Sequence, residues 1–545
     1  MRAFSMAGLA TVCWAATVSA QTTAAISAAD SKARLFALAH DSMAGRETGS
    51  LGDFKATEYL AAEFRRLGLE PVGDGGTYFQ AIPFLRFHAR ETRPITIGGA
   101  TFRLGPDYLV MGRRYRTKLL DGIVAVASGT TTDSTTWASA DQLAGRAAVL
   151  FPPAELGRGF GALIGFLQQP RFAKAAAVLI AAHERLPSEA VASVLEGQIT
   201  TDTTRTGEGP LILVVTDQAA RAALGGGGRE TVAGTLGGTL SGDVGMTFSP
   251  TAYPVRNVVG VLRGADPALK ASYVSVTAHH DHVGFDRAPV DHDSLRAVNR
   301  VTRPMGADNP RRDPTAAEWV EIRRLIDSLR AVRPSRPDSI RNGADDDGSG
   351  TVGVLEVAER LASGPRPRRS ILFVGHAAEE RGLLGSRWYT DHATVAVDSI
   401  VAEMDMDMIG RGGKSDLPEG GPQYLELVGL RRLSQEYGDL FDRVNARQTT
   451  PFVFNLSYDR PGHPLQYYCR ADHYSYARYG IPAVALSRGE HLDYHQVTDE
   501  PQYIDYEALA RVATLVSDVA TEIANLDHRP LLDQPKRDPN APCVQ

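Results

Sequence analysis

Five short segments concentrate histidine and carboxylate side chains at spacings that suit divalent-metal chemistry. They are Ala278-His279-His280-Asp281-His282, Gly343-Ala344-Asp345-Asp346-Asp347-Gly348, Glu379-Glu380-Arg381-Gly382, Met404-Asp405-Met406-Asp407-Met408 and His491-Leu492-Asp493-Tyr494-His495. A neutral imidazole ligates zinc through one nitrogen and usually donates from the other to a carboxylate. His279 beside Asp281 fits that need. A carboxylate in a glycine-flanked turn can bridge two cations, and the three aspartates 345–347 sit in such a turn. Two adjacent glutamates, Glu379 and Glu380, allow one to bind metal while the other moves protons. Asp405 and Asp407 share one face of a strand, because strand side chains alternate with period two. Taken singly, each segment also reads as a solvated turn, a helix cap or an exposed face. Taken together, acids gathered at consecutive strand ends repel one another unless cations neutralise them. A mixed set of imidazoles and carboxylates fits zinc.

The elements needed to gather these groups are legible around them. From residue 255 onward, apolar runs at 257–262, 273–277, 370–375, 399–404 and 483–486 alternate with helical patterns. One such helix spans 349–362, with Val352, Leu355, Ala358 and Leu361 on one stripe and Pro365 and Pro367 beyond it. This alternation predicts an α/β fold, a three-layer sandwich around a mainly parallel mixed sheet. Ligand-bearing side chains then meet outside the carboxyl ends of the strands. Helical spacing also marks residues 32–69, interrupted by a polar loop at 42–50. Between 116 and 245 the texture changes to short β-rich runs, at 122–127, 147–151, 177–181 and 211–215, which predicts a separate inserted module. A charged stretch at 286–341 carries Trp319, Ile322, Ile326 and Leu329 on one helical face.

Composition narrows the rest. The chain has 545 residues, 43% hydrophobic and 22% charged, which allows more than one domain with a sizeable core. A net charge of −6 without a basic run gives no reason to expect nucleic acid or an anionic membrane as partner. Arg2, an apolar stretch at 3–16 and the small residues Val18-Ser19-Ala20 read as a secretory signal cleaved after Ala20. That stretch is too short to span a bilayer, and no later run is long enough. A secreted or periplasmic location follows. Of the three cysteines, Cys13 falls in the leader; Cys469 and Cys543 remain, and export would permit a disulfide between them. Nothing in the pattern sets an oligomeric state.

In their order, AHHDH, GADDDGSG, EERGLLGS, DMIGR and DYHQVTD resemble the di-zinc aminopeptidases related to bacterial leucyl aminopeptidase and glutamate carboxypeptidase, peptidase family M28. Gly45-Arg46-Glu47-Thr48-Gly49-Ser50, residues 59–71 and Asn257-Val258-Val259-Gly260 also resemble that family. The resemblance implies a zinc exopeptidase-like fold, two zinc ions and peptide substrates. It implies His279 and Asp407 on one zinc, Glu380 and His495 on the other, and Asp346 bridging them. Glu379 becomes the general base and Asp281 the residue that orients His279. His473 and Asp405 are carried over as substrate-binding positions near the cleft. His280 stands where the family commonly has Tyr, Asp405 where it has Asn, and Ala471 where it has Ser; none of these removes a ligand. The module at 116–245 resembles a protease-associated domain through residues 143–151 and 173–181. The resulting division is a leader at 1–20, the start of the peptidase domain at 21–115, the insert at 116–245, the zinc peptidase domain at 246–530 and a tail at 531–545. The stretch 286–341, longer than the family's usual connection, becomes a candidate lid. Two other readings stay open: a carboxypeptidase on the same site, and a non-catalytic binding protein on the same fold.

Overall fold

The structure, a computed structural model, describes residues 22–111, 117–129, 137–152, 170–201, 209–306, 309, 312–535 and 538–545. The leader expected at 1–20 lies outside the described residues. Among the described residues the strands form two nine-stranded sheets and one two-stranded ribbon.

The first sheet runs Glu70–Pro71, Val255–Leu262, Ser370–His376, Tyr273–His279, Ile400–Met406, Ala483–Ser487, Tyr424–Val428, Val453–Asn455, with Phe79–Ile82 also paired to Val255–Leu262. The four strands from Ser370–His376 to Ala483–Ser487 are mutually parallel. Val255–Leu262 and Tyr424–Val428 flank them in antiparallel sense. Every residue of Tyr273–His279, Ser370–His376 and Ile400–Met406 is buried, as expected of strands covered on both faces.

Two helical layers provide that cover. Ala28–Leu38, Leu51–Arg66, Gly350–Ser363, Gln435–Ala446 and Tyr506–Asn525 share one core with Val274, Val276, Phe373 and Met404 of the sheet. Tyr506–Asn525 shows why such a helix forms. Asp505 caps the Ala508 N–H at 3.1 Å, and Leu509, Val512, Val516, Val519 and Ile523 recur at three- and four-residue steps on its buried stripe. On the opposite face, Leu384–Asp391 and His473–Ala477 pack Tyr389 and Tyr476 against Val261, Leu372 and Ile400. The architecture is the expected α/β three-layer sandwich.

The second sheet runs Ala100–Phe102, Leu85–Ile97, Leu236–Pro250, Thr117–Gly129, Ala147–Leu150, Ala177–Ala181, Leu211–Val215, Tyr108–Met111, with Gln198–Thr200 on Leu85–Ile97. It has cores of its own around Leu179, Leu213 and Val149 on one face and Val178, Ile180 and Phe172 on the other. This unit spans Leu85 to Pro250, not the expected 116–245. The reason is the pairing of Leu85–Ile97 with Leu236–Pro250 from Ile97↔Leu240 to Leu85↔Pro250. The former buries Phe87, Ile95 and Ile97 but alternates them with Arg86, Arg90 and Arg93, so it reads as polar chain.

The charged stretch forms the ribbon Phe285–Asp291 and Pro337–Ile340, with helices His292–Thr302 and Ala316–Arg330 between. The second helix is the expected amphipathic one, started by a capping box of Thr315 and Glu318. Arg330, Arg333 and Arg336 all pair with the buried Asp293. The stretch packs on the segment that carries His495. Asn299 Nδ2 donates to Gln496 Oε1 at 2.6 Å, and Arg303 Nη1 to the Leu492 carbonyl at 3.2 Å. Cys469 and Cys543 form a disulfide across 74 residues, which fastens the tail.

Candidate metal centre

The carboxyl ends of the central parallel strands converge, as the sequence requires. His279 closes Tyr273–His279, Asp407 directly follows Ile400–Met406, and Glu379 and Glu380 lie on the turn after Ser370–His376. Asp346 sits at the start of the helix covering those strands, and His495 on the loop after Ala483–Ser487.

Buried polar groups fix these segments to one another. Asp347 accepts from the N–H groups of His279 at 3.2 Å, Gly350 at 2.8 Å and Met408 at 3.1 Å, so one carboxylate ties three of the segments. The wholly buried Arg46 donates Nε to the His280 carbonyl at 2.8 Å, Nη1 to that of Asn342 at 2.6 Å and Nη2 to that of Gly343 at 2.7 Å. Asp499 accepts from the N–H groups of Asp345 and Asp346. Asp281 receives the Thr48 hydroxyl at 2.8 Å and the Glu379 N–H at 3.1 Å. Burial opposes its ionisation, but hydrogen bonds to His279 and Thr48 hold it below the usual carboxylate range. Ala378, Met408 and His495 have φ of 56°, 63° and 57°, left-handed backbone concentrated beside the functional groups.

The side chains meet in two groups with Asp346 in both. His279, Asp346 and Asp407 form the first; His282, Asp346, Glu380 and His495 form the second. Within each group the candidate ligand atoms lie within 4.8 Å of one another. Asp346 presents Oδ1 to His279 Nε2 at 3.3 Å and Oδ2 to His495 Nε2 at 3.0 Å. Glu380 Oε2 is also 3.0 Å from His495 Nε2, and Asp407 Oδ1 is 3.7 Å from His279 Nε2. Several of these atoms are close without being aligned as hydrogen bonds. Asp346 Oδ2, Glu380 Oε1, His495 Nε2 and both ring nitrogens of His282 are buried with no hydrogen-bond partner. Leaving one such atom unsatisfied costs about 1–3 kcal/mol, and cations held between them remove that cost. The donor set therefore fits divalent metal.

Electrostatics lead the same way. Burial works against a charged His495, yet Asp346 and Glu380 push it up to about 10. The carboxylates thus hold a proton on His495 until a metal displaces it. Burial and the like charges of Glu380 and Asp407 push the Glu379 carboxyl well above its ordinary range, against the pull of His279. Cations alongside would bring it back down.

Glu379 borders two cavities. The smaller, about 70 Å³, is lined by His279, Asp407, Glu379 and the apolar Met408, Val428 and Ala485. The larger, about 550 Å³, is lined by Glu379, Glu380, Arg387, Arg470, Tyr494 and the tail around Pro542 and Cys543. None of the described residues of the charged stretch lines either cavity.

All five expected ligands and Glu379 and Asp281 thus come together. His473 and Asp405 do not reach the cavities. Both are buried; Asp405 accepts from Thr277 Oγ1 and the His473 N–H, and the His473 ring packs on Tyr468 and Gly429. They support the strand end beneath Asp407, and neither lines either cavity, unlike His279, Asp346, Glu379, Glu380 and Asp407. Sequence reasoning missed His282. The signal was present: it is the third histidine of the segment 278–282, directly after the strand that ends at His279.

A family profile for peptidase family M28 matches residues 257–520. Leucine aminopeptidase 1 of Arthroderma otae is 29% identical over 204 residues, 33% of this chain and 48% of that protein. The chain spans about half the length of the curated relatives it matches. An aminopeptidase from Aneurinibacillus sp. strain AM-1 superposes with a TM-score of 0.48 at 18% identity, covering 93% of this chain and 96% of that one. For the Bacillus subtilis zinc aminopeptidase BSAP the values are 0.46, 16%, 92% and 96%. The match to peptidase family M28 thus covers residues 257–520, which carry His279, Asp346, Glu379, Glu380, Asp407 and His495.

Proposed function

We propose that this chain is an exported exopeptidase that uses two zinc ions to release amino-terminal residues from peptides. The observation that carries the reading is the placement of Asp346, whose two oxygens face His279 and His495, beside a glutamate left over to act as base. Four carboxylates, Asp346, Glu379, Glu380 and Asp407, gather with the imidazoles of His279 and His495, and two divalent cations would balance the four negative charges once they displace the imidazole protons. His279, Asp346 and Asp407 would hold one zinc; Asp346, Glu380 and His495 would hold the other. Zinc, when bound, supplies Lewis acidity, lowering the pKa of water and polarising a carbonyl.

The chain's own groups do the rest. Asp281 fixes the Glu379 backbone, which aims the carboxylate at the space between the two cavities. Glu379 takes a proton from the attacking water as its oxygen bonds to the scissile carbon. It returns that proton to the amine as the C–N bond breaks. The small cavity beside His279 and Asp407 takes the first residue, and the larger one takes the remaining peptide. The disulfide supports an oxidising, exported setting. The Leu85–Pro250 unit is read as a protease-associated domain; its Glu196–Gln198 segment shares a surface recess with Glu47 and Arg381 at the rim.

Glu379→Gln should retain zinc and lose hydrolysis by about 10²–10⁴-fold. The specificity is tested with an amino-acid anilide against its N-acetylated form. Equal cleavage of the acetylated form would refute an aminopeptidase. A carboxypeptidase reading draws on Arg387 and Arg470 in the larger cavity. It predicts cleavage of amino-blocked dipeptides with a free carboxylate, so the same panel separates the two.

A further inference from the structure

His282 has no assigned task, yet its imidazole is wholly buried and neither ring nitrogen makes a hydrogen bond. Nδ1 lies 2.9 Å from Glu380 Oε1 and 3.6 Å from Asp346 Oδ2. The ring meets that of His495 edge-on, with centroids 5.5 Å apart. Its position is imposed from outside the metal centre. The His282 N–H donates to the Arg46 carbonyl at 3.1 Å, and residues 47 and 282 form a bridge. Gly343 leaves room for the ring; a Cβ there would stand 2.5 Å from His282 Cγ. A histidine that merely orients a ligand uses one nitrogen in an aligned hydrogen bond and commonly gives the other to a carbonyl or water. His282 does neither.

We propose that His282 Nδ1 is a fourth protein ligand of the cation held by Asp346, Glu380 and His495. This rests on the two-zinc reading above. It makes the two positions unequal. Four protein ligands close one site, as in structural zinc centres, whereas His279, Asp346 and Asp407 leave the other with an open position beside Glu379. One zinc is then retained as part of the folded centre. The other exchanges and faces substrate.

The test uses the full chain, stripped with a chelator and titrated with zinc against a competing indicator, with circular dichroism to verify folding. Wild type should bind two zinc ions in resolved steps. His282→Ala should weaken the tighter step by more than about 100-fold, beyond the 10–100-fold that follows loss of an outer partner, and leave the weaker step within a few-fold. His282→Cys loaded with cobalt(II) should show a thiolate-to-cobalt charge-transfer band, which appears only if the side chain at 282 reaches the metal. That band decides the matter should His282→Ala fail to fold. Retention of both steps within about tenfold in His282→Ala, or absence of the band in folded His282→Cys, overturns the ligand assignment and leaves the two-zinc reading standing. Failure of wild type to bind zinc overturns both.

Discussion

Arg46→Lys tests whether the metal centre is held by a buried guanidinium rather than by its metals alone. Arg46 donates to the carbonyls of His280, Asn342 and Gly343 at 2.6–2.8 Å, and to that of Leu38 at 3.3 Å. Those carbonyls belong to the segments that carry His279, His282 and Asp346. A lysine ammonium delivers its donors from one point and cannot span a fork of this width. It can serve the Asn342–Gly343 pair or the His280 carbonyl, so at least one buried carbonyl loses its donor and another keeps a poor one. Each buried acceptor left unsatisfied costs about 1–3 kcal/mol, giving a total of about 2–5 kcal/mol. Denaturant midpoints of the metal-free variant should show this loss. Part of it should reappear as weaker zinc binding, tenfold for each 1.4 kcal/mol or so, because the displaced segments carry the ligands proposed for both sites. A variant within about 0.5 kcal/mol of wild type, with unchanged zinc affinity, would refute the clamp.

Acid should unfold the chain steeply. Burial holds His376 and His473 down at about 3, against an ordinary 6.5, so both are neutral when folded and charge on unfolding. Their contribution is present above pH 6.5 and is lost as pH falls towards 3, at up to about 1.4 kcal/mol per pH unit for each histidine; pairing His376→Gln with His473→Gln should flatten that slope, and an unchanged slope in an acid titration of stability would contradict it. Cys543→Ser opens a 74-residue loop and should lower stability by about 4 kcal/mol, measured against wild type with and without reductant. Asn299→Ala removes the donor to Gln496 beside His495, so about 1–3 kcal/mol is lost. Chelator-driven zinc release should quicken in that variant, whereas a wild-type release rate would show that the charged stretch does not brace the ligand loop.

The candidate ligands His279, Glu380 and Asp407 sit at or just past the ends of apolar strands, which in a parallel sheet share one edge, whereas Asp346 opens a helix, His495 lies on a loop, and the role of each was read from the family resemblance. His279, Glu380 and Asp407 need only the strand pattern to be brought together. What the pattern does not carry is the direction of a side chain beyond the strand. His282 was passed over because its ring turns inward only through the backbone bond to Arg46 and the missing side chain at Gly343, both remote in sequence. Burial likewise keeps Asp405 and His473, expected near the cleft, out of the lining of both cavities. Asp405 does alternate with Met404 and Met406, but the helix His473–Ala477 covers that face. The early start of the second sheet escaped notice because Leu85–Ile97 pairs with a glycine-rich strand more than a hundred residues downstream, and antiparallel strands half open to water carry as many charges as loops do. The Cys469–Cys543 bond depends on proximity that no local pattern encodes.

The helices Ala28–Leu38 and Leu51–Arg66 bury Leu35, Leu60 and Phe64 against a sheet whose main strands begin only at Val255. Phe64 faces Phe373 across that junction, with rings 6.4 Å apart. During translation these helices leave the ribosome before the strands they cover, with residues 85–250 in between. The apolar faces of the two helices therefore have no partner until the chain beyond residue 255 has been made. For the same reason a recombinant fragment cut at residue 257, where the family match begins, would expose Phe373 and the empty seat of Phe64 and lack Arg46 and Thr48, so the boundary of homology is not the boundary of the folding unit.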